Sequence, residues 1–187
     1  GNGLRFDAQG RLFVADYTGH NILRVDLRDR SVSVHAHEPR MHQPNDIAIA
    51  PDGRLYASDP RWTAGDGQLW RIDRDGSTQL LESGMGTTNG IEVSPDGRRL
   101  YVNESVQRRI WVYDIGADGA LSGKRLLIAF DDHGLDGMRT DEAGNLYIAR
   151  YGAGTVAIVS PAGALLREVR LRGDRPTNVA FGGRDGR

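Results

Sequence analysis

A short phrase returns five times along this 187-residue chain, and its spacing restricts the fold more than any other property of the sequence. It reads "NGLRFDAQGRLFVADY" from Asn2, "NDIAIAPDGRLYASDP" from Asn45, "NGIEVSPDGRRLYVNES" from Asn89, "DGMRTDEAGNLYIARY" from Asp136 and "NVAFGGRDGR" from Asn178. The starts are 43, 44, 47 and 42 residues apart. A period of about 40 to 50 residues is the length of one propeller blade. Each unit has the same internal order. A short alternating strand ("GIEVS") meets a Gly-containing turn ("PDGR"), and a second strand ("RLYVNE") leads through a polar connection to a third ("RIWVYDI"). A variable stretch ("GKRLLIAF") supplies the fourth. Alternating runs bounded by Gly, Asp, Pro and Asn are antiparallel strands and hairpins, and no window keeps a 3.6-residue apolar period. The expectation is an all-β chain, residues 1–187, forming one incomplete β-propeller of four-stranded antiparallel blades: four blades and the start of a fifth. A parallel β-helix, the alternative repeat architecture, has much shorter coils.

Composition removes several classes of function. The formal net charge of −1 gives no broad basic field for nucleic acid or an anionic membrane surface. The absence of cysteine excludes disulfides, thiolate nucleophiles and thiolate metal sites. No apolar run approaches the ~18 residues of a membrane-spanning helix. A soluble protein is expected, cytoplasmic or periplasmic, since any export signal would precede residue 1. The chain opens inside a strand-like phrase and stops inside another, so a first-blade region and a C-terminal end are expected to lie outside it. Open blade edges are sticky, which points to self-association or to covering by further chain.

Why should each inner strand be headed by Asn or Asp? In a propeller the first strand of each blade lines the central channel. Asn2, Asn45, Asn89, Asp136 and Asn178 would then form a ring of oxygen-bearing groups at one mouth. Asn-Gly is also a strong turn signal, and such side chains can fasten blade to blade. The polar residue nevertheless persists in Asn45-Asp46 and Asn178-Val179, where the glycine is absent. Amide oxygens with one carboxylate suit a hard divalent cation, Ca²⁺ or Mg²⁺, and would tolerate Mn²⁺ or Zn²⁺.

The phrases "PNDIAIAPDGRLYASDP", "TNGIEVSPDGRRLYVNES" and "LDGMRTDEAGNLYIARYGAGTV" resemble the SMP-30/gluconolactonase/LRE-like family of six-bladed propellers, in order and spacing, over essentially the whole chain. The resemblance implies a divalent-metal-dependent hydrolase of small lactones, with Ca²⁺ the first expectation. It assigns Asn89 and Asp136 to the metal, and Asn45 to metal or substrate. Asp136 would also be the general base. By the same likeness Asp46 would serve a second, structural calcium. From their places at the channel mouth Asn2, Asp46 and His133 are also candidate substrate contacts, with a plain loop histidine the alternative for His133. The family's glutamate ligand belongs to an "EGP"-like phrase of the first blade, which does not occur in these residues. Two other classes share the wording: non-catalytic NHL-type propellers that bind a protein or polymer, and strictosidine-synthase-like propellers. The single carboxylate among asparagines favours the hydrolase.

Other features read more plainly. His35 and His37 alternate on one outer strand and lack a third ligand. "GAGT" at 152–155 is a turn, and no Gly-X-Ser-X-Gly elbow occurs. Trp70 and Trp111 occupy equivalent third-strand places and are expected to pack between blades. Trp62, in the connection "DPRWTAGDGQ", is either a lip over the mouth or part of a surface loop.

Overall fold

The computed structural model describes residues 1–182 and contains sixteen β-strands and no helix among them. The strands form four separate sheets of four, each antiparallel and in chain order. The first blade holds β1 (Leu4–Phe6), β2 (Leu12–Asp16), β3 (Asn21–Asp26) and β4 (Ser31–His37). The second holds β5 (Ile47–Ile49), β6 (Leu55–Asp59), β7 (Gly67–Ile72) and β8 (Thr78–Met85). The third holds β9 (Thr88–Val93), β10 (Arg99–Glu104), β11 (Arg109–Ile115) and β12 (Leu121–Ala129), and the fourth β13 (Met138–Thr140), β14 (Leu146–Arg150), β15 (Thr155–Val159) and β16 (Leu165–Arg170). This is the β-propeller arrangement that the repeat predicts. Of the fifth phrase, residues 178–182 carry no strand and residues 183–187 lie outside the described residues.

Alternation in the sequence explains why sheets stack. In the second and third blades both faces are apolar, so the strands read as nearly continuous hydrophobic runs, as in β6 "LYASD" and β10 "RLYVNE". Three cores result, one between each pair of adjacent blades. The first joins Phe13, Ile22, Ile47, Leu55, Trp70 and Ile72. The second joins Tyr56, Leu69, Ile91, Leu100 and Tyr113, with Trp111 packed against it. The third joins Tyr101, Ile110, Met138, Ile148 and Val159. Trp70 is fully buried and its indole N–H donates to Asp59 (3.2 Å) and to Gln68 (3.0 Å). Each fully buried aliphatic side chain contributes about 1.5–3 kcal/mol. Both tryptophans thus pack between blades. The outermost strands, β4 and β16, are largely exposed.

His35 sits edge-on to Phe13, with ring centroids 5.0 Å apart, and burial holds its pKa below the ordinary histidine value. His37 is exposed and meets the Asn21 side chain at 2.8 Å. Among the described residues neither histidine joins a cluster of three metal-ligating side chains.

Candidate active site

The repeated hairpin sets the height of each ring residue. Asn2 N–H donates to Ala15 O (2.8 Å), Asn45 N–H to Ser58 O (2.8 Å) and Asp136 N–H to Ala149 O (2.9 Å). In each case the inner strand hangs from the second strand of its own blade at the same register. The last residue of that second strand then holds the incoming loop. Asp59 accepts from the backbone N–H groups of His42 (2.8 Å) and Gln43 (2.5 Å), just before Asn45. Glu104 accepts from Gly86 N–H (2.8 Å), ahead of Asn89. In the fourth blade the residue is Arg150, and the loop accordingly offers acceptors, the backbone and side-chain oxygens of Asp132, both at 2.7 Å.

These supports bring Asn2, Asn45, Asn89, Asp136 and Asn178 into the lining of one cavity of about 1130 Å³. Their side chains run hand to hand around the axis. The Asn2 amide donates to Asn45 Oδ1, and the Asn45 amide donates to Asn89 Oδ1 (2.5 Å). The Asn89 amide in turn donates to Leu135 O (3.5 Å), the residue before Asp136. Burial raises the pKa of the Asp136 carboxyl to about 6, against the nearby Asn89 amide, which lowers it. Blade-to-blade fastening is present as well: Asn103 donates to Asp136 O (2.7 Å), one blade over.

The glycines after the ring residues answer a packing demand. Gly90 lies inside β9, not in a turn, and none of Gly3, Gly90 and Gly137 has a positive φ. A Cβ on Gly90 would lie 2.3 Å from Asp136 O and 2.7 Å from the Asn103 amide. Glycine is needed because the next blade's backbone passes through that space.

The donor chemistry of the ring is the kind that suits a hard divalent cation. Asn45, Asn89 and Asp136 come from three successive blades, lie within hydrogen-bond reach of their neighbours, and carry oxygen donors only. Among the described residues no three His, Asp or Glu side chains cluster, so such an ion would lean on the amides. Rotating an Asn amide by half a turn exchanges its N–H₂ for its oxygen.

The remaining expected site residues divide. His133 lines the cavity in a left-handed conformation (φ 51°), with Nε2 3.8 Å from Asp132. Asp46 is buried beneath the ring. Its Oδ1 accepts from Ile47 N–H (2.9 Å), while Oδ2 has no hydrogen bond and lies 3.7 Å from the Arg5 guanidinium. Burial raises the Asp46 pKa, with Arg5 opposing.

Below Asp46 lies a charged tier that the motif reading did not isolate. Counting three residues on from the ring gives Arg5, Ala48, Glu92 and Arg139 in the four blades. Arg5 donates to Glu92 Oε2 (3.1 Å) and Ile91 O (3.2 Å), and Arg139 stands 3.6 Å from the same carboxylate. Burial raises the Glu92 pKa to about 7, against the pull of Arg5. The signal was visible as charge at one fixed place in inner strands. Glu92 also borders a second cavity of about 830 Å³, formed by the hairpin turns at the far ends of these strands. The mouth itself is rimmed by Tyr17, Trp62, Ser105, Val106, Arg108 and Tyr151. Trp62 thus belongs to the cavity's lip.

Known proteins share this fold and sequence. A gluconolactonase of Zymomonas mobilis is 31% identical over 206 residues, an alignment spanning 97% of this chain and 57% of that protein. A crystal structure of a calcium-binding regucalcin from Agrobacterium tumefaciens superposes with a TM-score of 0.85 at 23% identity, covering 98% of this chain and 64% of that one. A gluconolactonase structure from Xanthomonas campestris gives 0.83 at 27% identity, covering 96% and 64%. The chain thus spans less than two thirds of the length of each of these relatives. The SMP-30/gluconolactonase/LRE-like family model matches residues 1–187, and the chain belongs to that family.

Proposed function

We propose that this protein hydrolyses small sugar lactones with the help of one divalent cation, Ca²⁺ by preference, held by Asn45, Asn89 and Asp136. The observation that carries the reading is the position of Asp136: the one carboxylate among the ring residues, partly buried beside Asn89 at one end of a row of amides in a large open cavity. The gluconolactonase names of two relatives and the calcium-binding description of a third support the same substrate and ion. A bound cation would polarise the lactone carbonyl and offset the negative charge that develops as water adds.

The chain's own residues do the rest. Asp136 accepts the proton of the attacking water as the new C–O bond forms. It returns that proton to the ring oxygen as the ring C–O bond breaks, releasing the open-chain hydroxy acid. Burial, which raises its pKa to about 6, leaves it ionised at neutral pH yet basic enough to take a proton. Asn89, whose amide donates to the backbone just before Asp136, positions that segment, and Asn45 orients Asn89. Asn2 and His133, both on the cavity wall, contact the sugar hydroxyls. Asp46 acts from below through its position under Asn45.

Hydrolysis of glucono-1,5-lactone is expected to fall to background after dialysis against a chelator and to return on adding Ca²⁺, with Mg²⁺, Mn²⁺ or Zn²⁺ as weaker substitutes. Turnover that persists unchanged through chelation would remove the metal from the mechanism. No turnover with any ion would favour a non-catalytic propeller.

A further inference from the structure

Among the described residues the cavity lining carries one permanently cationic side chain, Arg108, and neither the ring nor the charged tier employs it. It sits in the turn between β10 and β11, in the third blade, where blades on both sides fix its surroundings. Its backbone is tied at both polar groups. Arg108 N–H donates to Glu104 O (2.8 Å), and its carbonyl accepts from Phe130 N–H (2.9 Å). Its guanidinium makes no hydrogen bond or ion pair with any other described residue, and the residue is exposed in the lining of the cavity mouth. A charged group so placed is anchored at its root and free at its tip.

The backbone adds a second argument. The turn between second and third strands closes on a left-handed residue in every blade: His20 at φ 57°, Gly65 at φ 63°, Arg108 at φ 59° and Gly154 at φ 69°. Glycine adopts this conformation without penalty, whereas an L side chain costs on the order of 1 kcal/mol or more. His20 is compensated by the contact of its Nδ1 with Met41 O. Arg108 has no such compensation within the described residues. The left-handed position at the mouth therefore holds an uncommitted cation where glycine would be more stable.

We propose that Arg108 determines substrate specificity by receiving an anionic substituent on the lactone, at the end away from the reacting carbonyl. The site would then prefer acid-bearing sugar lactones, phosphorylated, sulfonated or carboxylated, over neutral ones. This rests on the lactonase reading for the word substrate, but not for the anion site itself. A guanidinium offers paired N–H donors matched to such groups. The two carboxylates of the lining do not compete for it: Asp46 faces Arg5 below the ring, and Asp136 lies beside Asn89. The rings of Tyr17, Trp62 and Tyr151 stand at the same mouth and offer apolar faces to the sugar.

Binding separates this proposal from catalysis. With the Ca²⁺-treated protein, calorimetric titration with gluconate 6-phosphate and with gluconate compares two open-chain ligands that differ only in the distal anion. The phosphorylated ligand is expected to bind at least 10-fold more tightly to the wild type. Arg108→Gln should abolish that difference, and Arg108→Lys should restore part of it. Arg108→Gly should abolish it while raising the melting temperature, which shows that the loss is not unfolding. Equal binding of both ligands to the wild type, or an undiminished preference in Arg108→Gln, would overturn the proposal. A phosphate preference without any lactone turnover would uphold the anion site and remove the hydrolase reading; turnover without the preference would do the reverse.

Discussion

Asp136→Asn is expected to lower kcat for lactone hydrolysis by about 10³-fold, within the 10²–10⁴-fold that a positioned general base contributes. The substitution keeps the side chain's size and leaves the backbone bonds of residue 136 to Ala149 and Asn103 in place, so the ring stays packed. It removes the only group of the ring that can take a proton and the only one that carries charge. The pH profile should carry the same signature. Because burial raises the Asp136 pKa to about 6, the base form dominates above that value, and activity falls as pH drops through it. The shift is upward, so the acid limb lies above that of an ordinary exposed aspartate, except as bound cation draws it down. A variant within a few fold of wild type would show that another group accepts the proton. In the ion-free protein, Asn89→Ala, which removes the neighbour that lowers this pKa, should move the titration of Asp136 itself to higher pH.

The largest effect on stability is expected below the ring. Arg5→Ala leaves Glu92 and Asp46, two buried carboxylates, without the guanidinium that faces both, 3.1 Å from one and 3.7 Å from the other. Removing one partner of a buried charge set costs about 3–5 kcal/mol, since the remaining charge is uncompensated. Arg139 stays 3.6 Å from Glu92 and tempers the loss. The dependence on pH follows from the raised pKa of Glu92. A carboxyl that titrates near 7 when folded, above its ordinary 4.5, stabilises the fold fully below about 4.5, and that contribution fades as pH rises through 7. Without Arg5, which opposes the shift, the folded pKa rises further and the loss deepens. The deficit of Arg5→Ala should therefore be greatest at pH 8 and much smaller at pH 5, where a protonated Glu92 needs no counter-ion. Urea unfolding of wild type and variant at the two pH values measures it. A deficit that grows on acidification would mean that the cluster is held by its charges rather than taxed by burying them.

Much of this was legible in the sequence because a propeller writes its geometry as a period. The spacing of "NG", "ND" and "DG" phrases located the inner strands, and alternation in "RLYVNE" and "RIWVYDI" located the strands beside them. The ring was legible for the same reason, since equivalent places in successive units must share radius and height. What stayed hidden obeyed no repeated letter. Arg5, Ala48, Glu92 and Arg139 occupy one structural place with three chemistries, so the tier has no motif even though its partners attract one another across blades. Asp59, Glu104 and Arg150 do one job with opposite charges, because the loop they hold offers N–H groups in two blades and oxygens in the third. The rim is set by turns of differing length, and Trp62 has no counterpart from which its direction could be inferred. Even the glycine of "NG" was ambiguous, because a tight turn and a close approach of backbone select the same residue; only Gly90 inside β9, against Asp136 O, separates them.

The central claim is that three side chains from three blades grip one ion, and ion content measures it most directly. Protein stripped with a chelator, equilibrated with Ca²⁺ and passed through a desalting column is expected to retain one equivalent per chain by elemental analysis, and Asp136→Asn to retain almost none. A wild type that emerges empty after equilibration with each of Ca²⁺, Mg²⁺, Mn²⁺ and Zn²⁺, or a variant that holds as much as the wild type, would contradict the account.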